Sequence, residues 1–403
     1  MKQIFSFFSI ISTFIMLSAQ NFTSNGINYN ITDATNHYVE TAENRNASGS
    51  ITIPSTVSYN SIIYTVTSIG ASSFQNSTIT SVNIPNSVTS IKNSAFNSCY
   101  SLSSIEIPNS VTSIGSNAFF ECFGLTSVVI PNSVTTIGDR IFQYCQNLTS
   151  VVISNKVSTI PSDAFNFCTK LSSVTIPNSV TFIGNSSFYY CQNLTSITIP
   201  NSVTFIDAAA FQHSGLTAIT LPESAATISS QAFSDCENLT SVTIPSSIVS
   251  IEGYVFGNCT SLNTINSYLT TPLSLPSDVF DGVNKSTCDL NVKAGSVDAY
   301  KTTAVWKDFT HINGTLTNLN VSDANKVIEF KVYPNPATDF VMIQNAKNIK
   351  ISKVNITDTN GRIVSTFSHL ENGKIDVTKL PKGLYIISIA SEKGNENFKL
   401  MKK

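Results

Sequence analysis

One stretch decides the fold, and it reads Leu102-Ser-Ser-Ile105-Glu-Ile107-Pro-Asn-Ser-Val111-Thr-Ser-Ile114-Gly-Ser-Asn-Ala118-Phe119-Phe-Glu-Cys122-Phe-Gly124. Close copies begin at Leu125, Leu148, Leu171 and Leu194, and looser copies begin at Ile79, Leu216, Leu239 and Leu262. One phenylalanine recurs every 22 or 23 residues, at Phe74, Phe96, Phe119, Phe142, Phe165, Phe188, Phe211, Phe233 and Phe256. A fixed period of this size predicts a solenoid, in which each repeat is one coil stacked on its neighbours.

The order of residues within one repeat predicts the path of one coil. With the leucine as position 1, positions 4 to 6 alternate and favour β-branched residues, which predicts a short strand that the proline at position 7 ends. Position 15 often carries a helix-capping residue, so a short helical turn is expected over positions 17 and 18. The side chains expected to point inward are those of Leu102, Ile105, Ile107, Val111, Ile114, Ala118 and Phe119.

The repeated phrase Leu-x-x-Ile-x-Ile-Pro-x-Ser-Val-x-x-Ile-Gly-x-x-Ala-Phe-x-x-Cys resembles the BspA-like leucine-rich repeats of bacterial surface proteins. The resemblance covers residues 63–265, although position 9 carries Ser where the common leucine-rich consensus has Asn. It implies a leucine-rich repeat solenoid of about nine coils of 22–23 residues, each with a short parallel strand and a short helical turn. It also implies a surface-displayed binding scaffold that adheres to a protein of a host, a matrix or a neighbouring cell.

The N-terminal residues predict export. Residues 1–19 have one basic residue, Lys2, followed by an apolar run and a small residue at Ala19, which is typical of a signal peptide. The alternative is a membrane anchor, but the run is short for a bilayer span. No other segment is expected to cross a membrane. Residues 20–62 lack the repeat and are expected to form a β-structured N-terminal cap over the open end of the solenoid.

The repeat fails after residue 265. Residues 266–313 are interpreted as a degenerate repeat followed by a C-terminal cap, in which Trp306, the only tryptophan, closes the apolar end. Residues 314–325 are polar and are interpreted as a linker.

Residues 326–403 have a different composition, with short alternating strands between Asn-Gly and Pro-Lys-Gly turns, which predicts a small all-β sandwich. Four motifs in this segment are together similar to the type A sorting domain of the type IX secretion system. This resemblance implies a secreted or outer cell-surface protein that the secretion machinery handles through this domain. The sorting residues implied are Tyr333, Pro334, Asn335, Pro336, Gly361, Gly383, Tyr385, Lys402 and Lys403.

Seven of the eight cysteines share position 21 of their repeats. Disulfides are open to an exported protein, but side chains in register run parallel, which holds neighbouring Cβ atoms further apart than a disulfide prefers. The spacing of zinc sites is absent, so neither a metal nor a cofactor is expected. We therefore predict a column of unpaired, buried thiols at Cys99, Cys122, Cys145, Cys168, Cys191, Cys236 and Cys259.

The outward strand positions, 3 and 5, form a ladder rich in hydroxyl groups, with Val129 and Val152 among them. The ladder has one carboxylate, Glu106, and no histidine in register, so it offers neither a pair of acids nor an activated nucleophile. An enzyme is therefore not expected. Residues 51–265 contain four basic and nine acidic residues, which disfavours nucleic acid as a partner. A structural or ice-binding surface is an alternative, against which the two valines argue.

Position 20 offers a more localised candidate site. Tyr144, Phe167, Tyr190 and His213 occupy it in four consecutive repeats, and Phe182 and Phe205 form a shorter pair at position 12. These rings either pack over neighbouring loops or form an aromatic stripe for a ligand, since exposed aromatic clusters mark binding surfaces. The favoured ligand is a protein bound in adhesion, and the alternative is a glycan.

Overall fold

A computed structural model describes residues 21–316, 330–333, 337–345, 349–358, 363–368, 370, 373–391 and 394–403. The predicted signal peptide and most of the predicted linker lie outside these residues. The chain divides into two compact units, Met1–Asn318 and Leu319–Lys403.

Each coil of the first unit contributes two short strands. The first strands, at positions 3 to 6, are β7 (Thr78–Asn83), β9 (Ser104–Ile105), β11 (Ser127–Val129), β13 (Ser150–Val152), β15 (Ser173–Thr175), β18 (Ala218–Thr220), β20 (Ser241–Ile244) and β22 (Thr264–Ser267). Equivalent residues pair in parallel, as Val151 of β13 does with Val128 of β11 and Val174 of β15. The pairing is interrupted between β9 and β11, and residues 196–198 form no strand. The strand face is therefore three separate sheets.

The second strand of each coil, at positions 12 and 13, was missed by the sequence analysis. These strands are β8 (Ser90–Ile91), β10 (Ser113–Ile114), β12 (Thr136–Ile137), β14 (Thr159–Ile160), β16 (Phe182–Ile183), β17 (Phe205–Ile206), β19 (Thr227–Ile228) and β21 (Ser250–Ile251). They also pair in parallel and in register, and the isoleucine of each pair faces the core.

The recurring phenylalanines form one column through the core, which confirms the periodicity argument. All nine are completely buried, and each ring stacks on the next with centroids 5.1–5.9 Å apart. Phe280 extends the column by one ring, 5.7 Å from Phe256. The core is thus continuous from coil to coil.

The rest of each coil is a run of tight turns, and here the structure differs from the helical turn expected. Residues 48–293 contain no helix. Positions 16 and 20 instead adopt a left-handed conformation in every coil, as at Asn117 (φ 57°) and Glu121 (φ 55°). The position-15 side chains do not cap their own turn. Asn93 Oδ1 and Asp139 Oδ1 instead accept hydrogen bonds across coils, from the N–H groups of Ser116 at 3.0 Å and Ser162 at 3.1 Å. The Ser230 hydroxyl donates across coils to the Gly253 carbonyl at 2.9 Å. Such a residue therefore ties two coils together.

The N-terminal end is covered by β1 (Asn21–Ser24), β2 (Ile27–Asp33), β3 (Tyr38–Thr41) and β5 (Thr56–Tyr59). β1 and β2 are antiparallel, and the completely buried Tyr29 packs under Phe22. β4 (Ser48–Thr52) already pairs in parallel with β7, and β6 (Ile62–Ile69) pairs in parallel with β8. Coil stacking therefore begins at Ser48, earlier than the boundary predicted at residue 63.

The C-terminal end closes with β23 (Asp289–Lys293), the helix α1 (Val297–Thr302) and β24 (His311–Leu316), with single 3₁₀ turns at Ala294–Ser296 and Trp306–Asp308. Trp306 is completely buried, packs edge-on against Phe280, and donates from Nε1 to the Leu273 carbonyl at 2.9 Å. Trp306 therefore closes the apolar end, as the sequence predicts. β24 runs past Gly314, where the linker was expected to begin.

The second unit is all-β, as predicted. Its described residues form seven strands, which are β25 (Phe330–Tyr333), β26 (Phe340–Asn345), β27 (Ile351–Asp358), β28 (Ile363–Phe367), β29 (Lys374–Asp376), β30 (Gly383–Ser391) and β31 (Gly394–Lys402). They form two antiparallel sheets, ordered β25-β26-β29 and β28-β27-β30-β31, around one shared apolar core.

The predicted sorting residues are only partly described. Pro334, Asn335, Pro336 and Gly361 lie outside the described residues. Tyr385 is buried, and its hydroxyl donates to the Pro381 carbonyl at 2.9 Å, while Tyr333 is exposed. Gly383 begins β30 opposite Lys402 of β31. The backbone N–H of Lys403 donates to the Ala337 carbonyl, so the last residue is joined to the segment that follows Tyr333-Pro-Asn-Pro336.

Candidate functional site

The aromatic stripe is the surface formed by Tyr144, Phe167, Tyr190 and His213. All four residues are left-handed, with φ between 56° and 62°. The backbone is fixed there because each position-20 N–H donates to the position-19 carbonyl of the next coil, as Phe167 does to Tyr189 at 2.8 Å. The coil therefore imposes the left-handed conformation at position 20, whichever side chain it carries.

The stripe residues form one continuous stack along the solenoid. Ring centroids are 5.0 Å apart for Tyr144 and Phe167, 4.7 Å for Phe167 and Tyr190, and 4.3 Å for Tyr190 and His213. The first two pairs are nearly parallel, at 22° and 10°. All four side chains are half-buried. Because the ring faces cover one another, the inner rings offer mainly their edges to a ligand.

Two further rings belong to this surface and were missed by the sequence analysis. Phe120 meets Tyr144 edge-on at 5.6 Å, and Tyr189 meets Phe167 at 5.6 Å and His213 at 5.7 Å, both edge-on. Both residues occupy position 19. The clue in the sequence was a second aromatic residue directly beside position 20, as in Tyr189-Tyr190.

An ordered carboxylate lies at the C-terminal end of the stripe. Asp235 occupies position 20 of the next coil and accepts hydrogen bonds from Gln212, Ser234 and Asn258 at 2.9–3.0 Å. Burial alone would raise the pKa of Asp235, but these hydrogen bonds outweigh it and lower the pKa. The carboxylate is therefore ionised at neutral pH. Its Oδ2 lies 3.8 Å from His213 Nε2.

Glu121 lies at the N-terminal end of the stripe, also at position 20. Its Oε2 accepts hydrogen bonds from the hydroxyls of Ser98 at 3.0 Å and Tyr100 at 3.3 Å. The Tyr100 ring in turn stacks on Phe123 at 5.1 Å. The row of position-20 side chains thus runs from one held carboxylate, through four rings, to another.

The second aromatic pair lies apart from the stripe. Phe182 and Phe205 face each other across β16 and β17, with centroids 5.5 Å apart and ring planes 4° from parallel. Both are half-buried. Thr159 and Thr227 occupy the same register in the strands on either side. The pair is therefore a small apolar patch within a row of hydroxyl residues.

The cysteine column is structural rather than reactive. All eight cysteines are unpaired and buried, and the seven at position 21 form the column. Each position-21 thiol donates to the carbonyl of the phenylalanine in the preceding coil, as Cys168 does to Phe142 at 3.1 Å. Burial raises the pKa of Cys99 and of Cys236 to about 11 and raises the others as well. A protonated, buried thiol is a poor nucleophile. The column therefore supplies hydrogen-bond donors to the core.

The strand face offers exposed side chains, and Ser173, Thr175 and Thr198 line an open cavity between residues 172–178 and 196–200. Ser127, Ser173 and Ser196 are exposed, and Val129 and Val152 are 59% and 42% exposed in adjacent strands. Within the residues that the structure describes, no cluster of His, Cys, Asp and Glu could hold a metal ion. In the same ranges, no helix is long and apolar enough to cross a bilayer.

Comparison with one solved structure supports the fold, and a second resembles the chain more loosely. A leucine-rich repeat protein from Bacteroides ovatus is 24% identical, with a TM-score of 0.53, and the match covers 74% of this chain and 88% of that one. A leucine-rich cell surface protein from Faecalibacterium prausnitzii is 24% identical over 74% of this chain and 96% of that one, with a TM-score of 0.42. A search of the curated proteins found no match.

Family models match both units. Residues 331–403 match the secretion system C-terminal sorting domain, which directs the protein through the type IX secretion system to the cell surface or beyond it. Residues 67–195 and 181–300 match the BspA-type leucine-rich repeat region, in six copies. These two ranges span more than half of the chain, and their period is that of the phenylalanine column. The chain therefore belongs to the BspA-type leucine-rich repeat family.

Proposed function

We propose that the solenoid is a non-enzymatic adhesion scaffold, which binds a protein of a host, a matrix or a neighbouring cell through the aromatic stripe. The observation that carries the proposal is the choice of residues at position 20. The backbone there is left-handed in every coil, and the coils outside the stripe carry residues such as Asn76, Ser98 and Asn258. Four consecutive coils carry large rings instead, and these rings remain half-exposed.

Folding stability alone does not explain the aromatic residues at position 20. A left-handed residue with a side chain costs roughly 1–2 kcal/mol, and asparagine and aspartate tolerate this conformation best. A stacked ring pair returns about 0.5–1.5 kcal/mol. The two terms are of similar size, so an aromatic residue gains little over asparagine in folding. A role in binding would explain its presence, since aromatic residues commonly dominate binding energy at protein interfaces.

The geometry favours a protein over a glycan as the ligand. Sugars bind aromatic platforms through the ring face, and the faces of Phe167 and Tyr190 are covered by their neighbours in the stack. The strand face is an equally poor candidate for ice binding. Its sheets are interrupted twice, and Val129 and Val152 break the row of hydroxyl groups. A regular water-ordering lattice would need a continuous face.

A binding comparison tests the proposal. The double variant Tyr144→Asn with Tyr190→Asn removes two rings and installs the residue found at the equivalent Asn76 and Asn258. The full chain is applied to immobilised extracellular-matrix extract, to whole cells and to a glycan array. We expect protein or cell binding to weaken more than about tenfold, because central aromatic anchors contribute about 2 kcal/mol or more each. The melting temperature should shift by only a few degrees.

Tyr254→Asn is the matched control, because Tyr254 is an exposed tyrosine in the left-handed position 16, where Asn117 stands in another coil. This variant should bind as the wild type does. A second arm, Phe182→Thr with Phe205→Thr, tests whether the smaller aromatic pair binds instead. The proposal would be contradicted if the wild-type protein bound only glycans. It would also be contradicted if the Tyr144→Asn/Tyr190→Asn protein bound as strongly as the wild type.

A further inference from the structure

We propose that the occupant of the aromatic stripe is an extended, positively charged protein segment, in which two Lys or Arg residues about seven positions apart flank apolar residues. This inference rests on the proposed function and names the chemistry of its ligand. It is carried by the two carboxylates, Glu121 and Asp235, that terminate the row of rings.

Neutral donors hold both carboxylates in place and neither pairs with a Lys or Arg that the structure describes, although His213 Nε2 lies 3.8 Å from Asp235 Oδ2. Glu121 is positioned by two hydroxyl donors, and Asp235 by two amides and a hydroxyl. Among residues 21–316, the ion pairs formed by Lys and Arg involve other acids, namely Glu43, Glu40 and Asp163. Neutral donors orient the two negative charges without cancelling them. A partner that brings two cations would supply the missing charges.

The net negative charge of the solenoid also favours a positively charged ligand. Residues 51–265 contain four basic and nine acidic residues, so the solenoid attracts cations at long range. The exposed ring edges between the acids give an apolar middle. Charge complementarity of this kind sets the orientation and the specificity of a protein partner.

The coil spacing sets the length of the occupant. Glu121 and Asp235 lie five coils apart, and stacked coils are separated by about 4.8 Å, which places the two carboxylates about 24 Å apart. An extended chain advances about 3.3–3.4 Å per residue. Two cationic side chains that reach both acids must therefore stand about seven residues apart.

Selection from a random library tests this pattern directly. A phage-displayed library of random 12-residue peptides is panned against the immobilised full chain at low salt. We expect the enriched peptides to share two Lys or Arg residues six to eight positions apart with apolar residues between them. Their binding should weaken at 0.5 M NaCl, because salt screens exposed charge pairs.

Matched variants separate the charges from the rings. Glu121→Gln with Asp235→Asn removes both charges, and asparagine suits the left-handed backbone at residue 235. We expect this variant to bind the selected peptides about fivefold to tenfold more weakly, as the loss of two exposed ion pairs would cause. Glu106→Gln with Glu223→Gln changes the net charge equally at exposed positions outside the row, and it should bind as the wild type does.

Three results would overturn the inference: no enriched peptide, enriched peptides without the spaced cations, or equal binding by the Glu121→Gln/Asp235→Asn variant. The proposed function is judged separately. If the two-charge variant binds its protein or cell target normally while Tyr144→Asn with Tyr190→Asn does not, the rings are the site and the charged segment is the wrong occupant.

Discussion

The thiol column makes the solenoid sensitive to alkaline pH. In the unfolded chain a cysteine titrates near pH 8.5. In the folded protein, burial raises the pKa of every position-21 thiol, to about 11 for Cys99 and Cys236. A raised folded-state pKa contributes stability that is fully present below pH 8.5 and is lost as pH rises toward the folded-state value. We therefore expect the protein to weaken between pH 8.5 and 11.

The size of the effect at pH 9.5 depends mainly on the unfolded state. One pH unit above the unfolded pKa, each thiol that stays protonated in the fold costs about 1.4 kcal/mol of stability. Seven such thiols together cost about 10 kcal/mol, which is comparable with the whole stability of a typical domain. Tyrosines contribute little at this pH, because their unfolded pKa is near 10.

The assay is urea unfolding followed by far-ultraviolet circular dichroism, at pH 7.5 and pH 9.5, with a phosphine reductant and constant ionic strength. The control is Cys122→Ser with Cys168→Ser, because serine already occupies position 21 at Ser77 and Ser214, where its hydroxyl contacts the next thiol. This variant should lose about 3 kcal/mol less than the wild type between the two pH values. An equal loss in both proteins, or no loss in the wild type, would refute the reasoning.

Three further predictions concern the core, the thiols and the tail. Phe165→Ala should destabilise the solenoid by about 3–5 kcal/mol in chemical unfolding, because Phe165 is completely buried between two stacked rings; a change below about 1 kcal/mol would contradict the column. Alkylation without reductant should label all eight cysteines in denaturant and few in the native protein, whereas intact disulfides found by mass spectrometry would show the column to be oxidised. Deletion of residues 326–403 should leave a folded solenoid in the periplasm of the native host, and normal surface display of that chain would overturn the role of the tail.

The sequence predicted the core because the period is a property of buried residues. A phenylalanine every 22 or 23 residues must stack if the coils stack, and the same holds for the isoleucines of the strands. The role of Trp306 was predicted for a similar reason, because a large apolar residue beyond the last repeat is expected to cover the apolar end of the solenoid.

The turns were not predicted, because the same residue types serve several purposes. Asn93 and Asp139 at position 15 read as helix caps, yet their oxygens accept hydrogen bonds from the next coil. The left-handed backbone at position 20 was hidden by the rings of Tyr144 and Phe167, which are unusual in that conformation. Asn76, at the same position in an earlier coil, was the available signal.

The candidate site was predicted in part. The four stripe residues do meet in one stack, but grouping residues by a single repeat position could not show that Phe120 and Tyr189 join them from position 19. Nor could it show that the ring faces are covered. The residues at position 21 are cysteine or serine in these coils, and Ser77 and Ser214 each contact the thiol of the next coil.

The hydrogen bonds of the thiol column all run in the same direction along the solenoid. Seven coils donate a thiol hydrogen bond backward to the phenylalanine carbonyl of the preceding coil, as Cys99, Cys168 and Cys259 do. The coil of Ser214 carries a hydroxyl at this position instead, which contacts the thiol of Cys236. Val283 occupies position 21 after Phe280. Its side chain cannot donate a hydrogen bond, so the row of thiol hydrogen bonds ends before this coil. Duplication or deletion of whole coils in the gene could therefore lengthen or shorten the protein without disrupting the interfaces between coils. The length of the binding surface can thus change in evolution independently of its chemistry.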